Sequence, residues 1–239
     1  TVKSICTRAI YLEGGQLREI GSAVDVTNAY FKTMRQEIDA ELSLARRIQP
    51  AVTADQAEAS RQAIPVLQGG YLPGEAELQN FEKSAALFRM GMGGARILYA
   101  ELLDENRQPL SVVEFNQPVW VSILFEAFEE KELTANFYIQ DDKKIPITGS
   151  NLMLSDHPLL HVKAGDKFLV EYHVVALPLQ DGIYSLNVSL IEPTTSTINA
   201  PSIFTDYIEN AVVFNMAPRK SHRIWAKVFL FPTVEVKRL

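Results

Sequence analysis

From residue 95 onward the chain alternates apolar and polar positions over short runs, the period of strands with one buried and one wet face. The alternation predicts strands over Ala95 to Asp104, Pro118 to Phe128, Thr134 to Gln140, Ile145 to Thr148, Lys167 to Leu177, Gly182 to Ile191, Asn210 to Met216 and Arg223 to Phe231. Turn residues separate these runs, so the prediction is a two-sheet antiparallel sandwich. The first part of the chain is patterned differently. Ala9 to Leu12 and Gln16 to Ile20 read as a short hairpin across Gly14-Gly15, with too little apolar content for a domain. Tyr30, Met34, Ile38, Leu42 and Ala45 then recur at helical spacing until Pro50, and a second helix is predicted from Thr53, capped by its hydroxyl with Gln56 reaching back. Leu67 to Gly94 carries Gly69-Gly70, Pro73-Gly74 and Gly91-Met92-Gly93-Gly94 around a weak helical patch, the composition of a linker, and the sandwich is predicted to begin near Phe88.

One stretch organises the sandwich. In Val170 to Glu192, VEYHVVALPLQDGIYSLNVSLIE, two alternating runs flank a Pro, Asp and Gly turn, and Leu179, Asp181, Gly182 and Tyr184 form L-x-D-G-x-Y. A tyrosine just past such a turn returns its hydroxyl to nearby backbone, the tyrosine corner of immunoglobulin-like folds; an ordinary hairpin followed by a core tyrosine is the other reading. The fold expected is therefore mostly β: an immunoglobulin-like antiparallel β-sandwich preceded by a helical N-terminal linker.

Composition narrows the setting. With 239 residues, 47% of them apolar, the chain can bury one substantial core, and no run approaches the roughly 18 apolar residues of a membrane span. It opens on Thr1-Val2-Lys3-Ser4, which reads as a fragment. A single cysteine, Cys6, forms no internal disulfide and suits a reducing cytoplasm. A formal charge of -6 without a long Lys/Arg cluster argues against nucleic acid.

Several chemical signals are declined. His157 and His161 are four apart, but Pro158 follows the first and no third ligand clusters nearby, so no metal is assigned. Asp141-Asp142-Lys143-Lys144 reads as a solvated turn, and Glu126, Glu129, Glu130 and Glu132 lack a paired acid at glycosidase separation. Asn187-Val188-Ser189 fits an N-glycosylation pattern but lies mid-strand. Gly91 to Gly94 precedes a strand, so it is no dinucleotide loop.

Four features in order resemble the C-terminal domain of Wzt-type ATP-binding subunits of ABC exporters for O-antigen polysaccharide. Cys6, Arg8, Ile10, Leu12, Gly15, Gly21, Val26 and Tyr30 look like the tail of an ABC ATPase domain; Gly91, Gly93, Arg96 and Ile97 form G-x-G-x-x-R-I. Leu177 to Leu190 reads L-P-L-x-x-G-x-Y-x-L-x-V-x-L, and an apolar run closes the chain after Val213-Phe214. The resemblance implies residues 1–31 as ATPase tail, 32–88 as linker and 89–239 as a glycan-binding sandwich. It implies binding of the non-reducing end of a finished glycan, a homodimer made by exchange of the C-terminal strand, and contact with a transmembrane exporter subunit through the rest of the ATPase. The protein would work in the cytoplasm, at the inner face of the bacterial inner membrane. No catalysis and no cofactor belong to this piece, since the ATP- and magnesium-binding motifs would lie upstream. The long stretch between Phe31 and Phe88 departs from the family's spacing.

In such a topology the wet positions Asn136, Tyr138, Gln140, Ser185, Asn187 and Ser189 would share one outer face, offering amides and hydroxyls for sugar hydroxyls and Tyr138 as a stacking ring. A last strand presenting Arg223, Trp225 and Lys227 would add a second ring and two cations, and the opposite orientation would bury Trp225. Trp120 and His173 fall on the other sheet as reserve candidates. An assembly module that dimerises the ATPase or docks a partner, without touching sugar, is the alternative function.

Overall fold

The computed structural model describes residues 2–27, 29, 30, 33, 71–193 and 202–238. Most of the predicted helix from Tyr30 to Ala45, and all of the one from Thr53, lie outside these residues. A short helix α1 (Val2–Ile5) precedes β1 (Arg8–Glu13) and β2 (Gln16–Ser22), which form the predicted hairpin over Gly14 and Gly15, both at positive φ. Residues 23–27 are helical, buried at Ala23 and Val26.

The sandwich is present. Its shorter sheet has the order β10 (Lys167–Val174), β6 (Val119–Ala127), β4 (Ala95–Leu103). Its longer sheet runs β3 (Arg89–Met90), β12 (Ser202–Met216), β11 (Gly182–Pro193), β7 (Lys131–Asp141), β8 (Pro146–Asn151), with β5 (Val112–Val113) parallel on β12 and β9 (Leu160–Val162) on β7. Alternation explains the core. Val119, Val121, Ile123, Phe125 and Ala127 of β6 meet Leu133, Ala135, Phe137 and Ile139 of β7 and Tyr184, Leu186, Val188 and Leu190 of β11, all buried in one cluster. Tyr172 of β10 spans the layers, donating its hydroxyl to the Ala135 carbonyl at 2.6 Å. The corner forms as the L-x-D-G-x-Y pattern predicts: the Tyr184 hydroxyl donates to the Gln180 carbonyl at 3.0 Å, and burial raises its pKa to about 12.

Three features differ from the sequence reading. Helix α2 (Glu75–Ala85) lies within the predicted linker but packs into the sandwich, burying Phe81 and Ala85; the Phe81 ring lies 5.4 Å from Tyr99 on the outer side of β4. β12 begins at Ser202, well before Asn210, because Asn210 is a left-handed bulge (φ 55) inside one long strand. The strand predicted over Arg223 to Phe231 is absent as a regular element. An isolated bridge joins Val228 to Leu179, and two backbone bonds, Gln180 to Lys227 and Phe229 to Pro178, hold the segment against the corner.

Candidate functional site

β7, β11 and β12 share a sheet, and their register sets Tyr138 opposite Asn187, Gln140 opposite Ser185 and Asn136 opposite Ser189. The predicted face is therefore assembled, but its wetness needs correction. Asn136, Gln140, Ser185, Asn187 and Ser189 are buried, while Tyr138 is 38% exposed. The small residues of β11 sit between larger neighbours, Tyr138 and Gln140 of β7 on one side and Tyr207 and Val213 of β12 on the other, and so form a floor. The floor is cross-linked. Gln140 Nε2 donates to Ser185 Oγ at 3.1 Å and to Asn210 Oδ1 at 3.0 Å, the Asn210 amide donates to Asn187 Oδ1 at 2.8 Å, and Lys144 Nζ also reaches Asn210 Oδ1. Asn136 accepts from Thr134 Oγ1 at 2.9 Å.

Tyr138 is held by what lies beside it. Gly149 of β8 is its direct partner, and a Cβ built there would overlap the Phe137 carbonyl and come within 2.8 Å of the Tyr138 ring. The strand glycine lets the ring lie across the neighbouring backbone. Gly149, Asn210 and Lys144 escaped the sequence reading. Their signals, a glycine interrupting a strand and an asparagine breaking the alternation of β12, carry meaning only once the strands are paired.

The tail residues do not join this face. Lys227 Nζ pairs with Asp141 at 3.4 Å and Asp142 at 3.7 Å, beside the tyrosine corner. Trp225 is 83% exposed, neither buried nor on a strand, with the Arg223 guanidinium 5.0 Å from its ring centre. On the shorter sheet Trp120 and His173 stack at 4.4 Å, the Arg107 guanidinium lies 3.6 Å from the Trp120 ring centre, and Arg107 pairs with Glu171 at 2.6 Å.

The declined signals also find places. His157 Nδ1 lies 2.8 Å from the Pro158 carbonyl, His161 faces Glu130 at 3.1 Å, and no metal-binding cluster exists among the described residues.

A cleft lies apart from this face, between the C-terminal part of α2, the Gly91–Gly94 loop and β12. It has a volume of about 470 Å3 and is lined by Glu82, Arg89, Arg96, Phe128, Thr205 and Asp206 among others. Gly91 has φ 152, and a Cβ there would overlap the Thr205 carbonyl; Met92 and Gly93 donate backbone bonds to Phe204 at 2.9 Å and Thr205 at 3.0 Å. That close approach requires glycine at 91, while Gly93 and Gly94 sit at φ 85 and 90, backbone conformations that favour glycine. Asp206 Oδ2 accepts from Arg89 Nη1 at 2.5 Å and from the Ile97 amide at 2.7 Å, while Glu82 takes both Arg89, at 3.1 Å, and Arg96. Burial outweighs the attraction of Arg89 and lifts the Asp206 carboxyl to about 6.

Topology and outer face together define an immunoglobulin-like two-sheet sandwich with a ring-bearing polar surface. The chain belongs to the Wzt C-terminal domain family, whose sequence profile matches residues 88–230. Among solved structures, the crystal structure of the C-terminal domain of Wzt superposes with a TM-score of 0.56 at 16% identity, covering 63% of this chain and 88% of that one. At this identity the likeness speaks for the fold alone. Also similar at a lower level are the Pseudomonas fluorescens alkylpurine DNA glycosylase AlkC (TM-score 0.34, 10% identity, 52% of this chain and 30% of that one) and a Pyrococcus furiosus CARDB domain (0.29, 10%, 54% and 100%). No curated protein sequence matches significantly.

Proposed function

We propose that this chain is the polysaccharide-recognition part of the ATP-binding subunit of an O-antigen ABC exporter. It holds the non-reducing terminus of the finished glycan, so that the attached ATPase exports completed chains. Membership of the Wzt C-terminal domain family sets the context, and one local observation carries the binding claim: Tyr138 is exposed above a floor of side-chain amides and hydroxyls and is fixed across Gly149. An aromatic ring covers the apolar side of a pyranose, and the buried, hydrogen-bonded floor holds that ring's surroundings fixed, so little entropy is lost on binding.

Asn187, Gln140, Ser185 and Asn210 build the floor, with Lys144 at its margin. Catalysis is not part of this role; ATP and magnesium belong to an ATPase domain joined ahead of the hairpin of β1 and β2. In this reading the subunit is held at the inner membrane's cytoplasmic face by a separate transmembrane partner, as the family context implies. Among the described residues no helix is long and apolar enough to cross a membrane.

Titration of the labelled chain with the terminal oligosaccharide of its host's O-antigen, followed by NMR, tests the proposal. Saturable shifts at Tyr138 and Asn187 support it. Silence toward the glycan while the chain remains a dimer supports the second reading, an assembly module. A specific feature favours that reading as a companion role: the segment after Met216, although tied to its own corner, leaves Trp225, Leu230, Val234 and Val236 exposed, an apolar surface that a second copy would cover.

A further inference from the structure

We propose that the cleft between α2, the Gly91–Gly94 loop and β12 is a second binding site, for a neutral saccharide unit set back from the terminus held at Tyr138. The inference rests on the reading of this chain as a glycan-binding protein. Two observations lead to it. At about 470 Å3 the cleft has the size of a ligand pocket. Two of the residues lining it carry a buried polar atom without a hydrogen-bond partner, Thr205 Oγ1 and Arg89 Nε, as do Ser122 and Ser189 elsewhere in the sandwich; Thr205 is 1% exposed. Buried polar groups are nearly always paired, and leaving a hydroxyl orphaned costs stability. An orphaned hydroxyl and an orphaned N–H sharing one cleft fit groups that a ligand completes.

The charges indicate the ligand's class. Arg89 and Arg96 are matched by Glu82 and Asp206, so the cleft offers donors and acceptors with little net field. A phosphate or carboxylate gains little there, whereas a polyhydroxylated ring accepts from Arg89 Nε and Arg96 and donates to Glu82. Phe128, 51% exposed at the rim, supplies an apolar surface for the ring. The position also matters for the exporter. Glu82 is the residue through which α2 grips both arginines, so an occupant lies against the clamp joining the preceding segment to the sandwich.

The test titrates the full 239-residue chain, by amide NMR, with the methyl glycosides of glucose, galactose, mannose and N-acetylglucosamine, and separately with inorganic phosphate. At least one glycoside is expected to shift Gly91, Gly93, Gly94 and Arg96 saturably. Thr205→Val, which keeps the shape and deletes the hydroxyl, is expected to weaken that binding about fivefold while raising the melting temperature; Thr205→Ser and Tyr138→Ala keep it. Should Thr205→Val fail to fold, Arg96→Gln at the exposed rim is expected to weaken binding similarly. A silent glycine loop with responding Tyr138 amides overturns the second site and leaves the terminal site standing; silence at both overturns both. Shifts driven by phosphate alone, or unchanged affinity in Thr205→Val, also overturn it.

Discussion

Tyr184 and Gln180 close the turn between β10 and β11 through one hydroxyl-to-carbonyl bond of 3.0 Å, and Lys227 of the C-terminal segment lies 5.6 Å from the same ring. The corner thus fixes both the start of β11 and the path of the tail. Tyr184→Phe keeps the buried ring and deletes the bond, leaving the Gln180 carbonyl without that donor. Urea denaturation is expected to show a loss of about 1–2 kcal/mol with an unchanged m-value.

Tyr138 is the exposed ring of an otherwise locked face. Tyr138→Ala is expected to lower affinity for the terminal oligosaccharide about tenfold, with stability changed by less than about 1 kcal/mol, because the ring is partly solvated already. Gly149→Ala, which displaces the ring without removing it, is expected to reduce binding too, at a cost in stability from overlap with the Phe137 carbonyl. Calorimetric titration paired with thermal melts separates the two effects.

Asp206 predicts an unusual pH profile. Its carboxyl titrates at about 6 in the folded chain against an ordinary 3.8, so between those values the folded state holds a proton that the unfolded state has released. A raised carboxyl pKa therefore makes stability fall as pH rises from about 4 to about 6, by something on the order of 3 kcal/mol, and leaves it level above. Other carboxylates, such as Glu77 with its pKa lowered by the Tyr71 hydroxyl, slope the opposite way. The measurement is accordingly the difference between the parent chain and Asp206→Asn across this window. A flat difference refutes the assignment.

Arg89 is the partner that makes Asp206 tolerable. Its side chain is 13% exposed against 5% for Asp206, and Arg89→Ala strands a buried carboxylate. A loss of about 3–5 kcal/mol is expected at neutral pH, read by thermal denaturation, with part of it recovered at pH 5 where Asp206 takes up a proton.

The tail predicts an oligomer. Ile224 is buried and Val228 partly so, while Trp225, Leu230 and Val236 face solvent. Ending the chain after Met216 is expected to turn a dimer into a monomer in sedimentation experiments. Trp225→Ser with Leu230→Ser should weaken the dimer without that truncation's loss of the corner contacts.

Much of this protein was determined by the sequence itself. Alternation along β6, β7, β10 and β11 specifies which side chains turn inward, because a one-residue slip would expose the whole apolar set. The corner needed only L-x-D-G-x-Y, a local motif whose bond spans four residues. Tertiary structure decided the rest. β3, β5 and β9 are two or three residues long and show no period, while the helical face at Phe81 gains meaning only from the Tyr99 it meets. Whether Asn187 and Ser185 are wet depends on the size of the side chains beside them on β7 and β12, and whether Thr205 and Arg89 share a cleft depends on Gly91 pressing against β12. Those relations join residues far apart in the chain, and a one-dimensional pattern records the direction of a side chain but not what stands next to it.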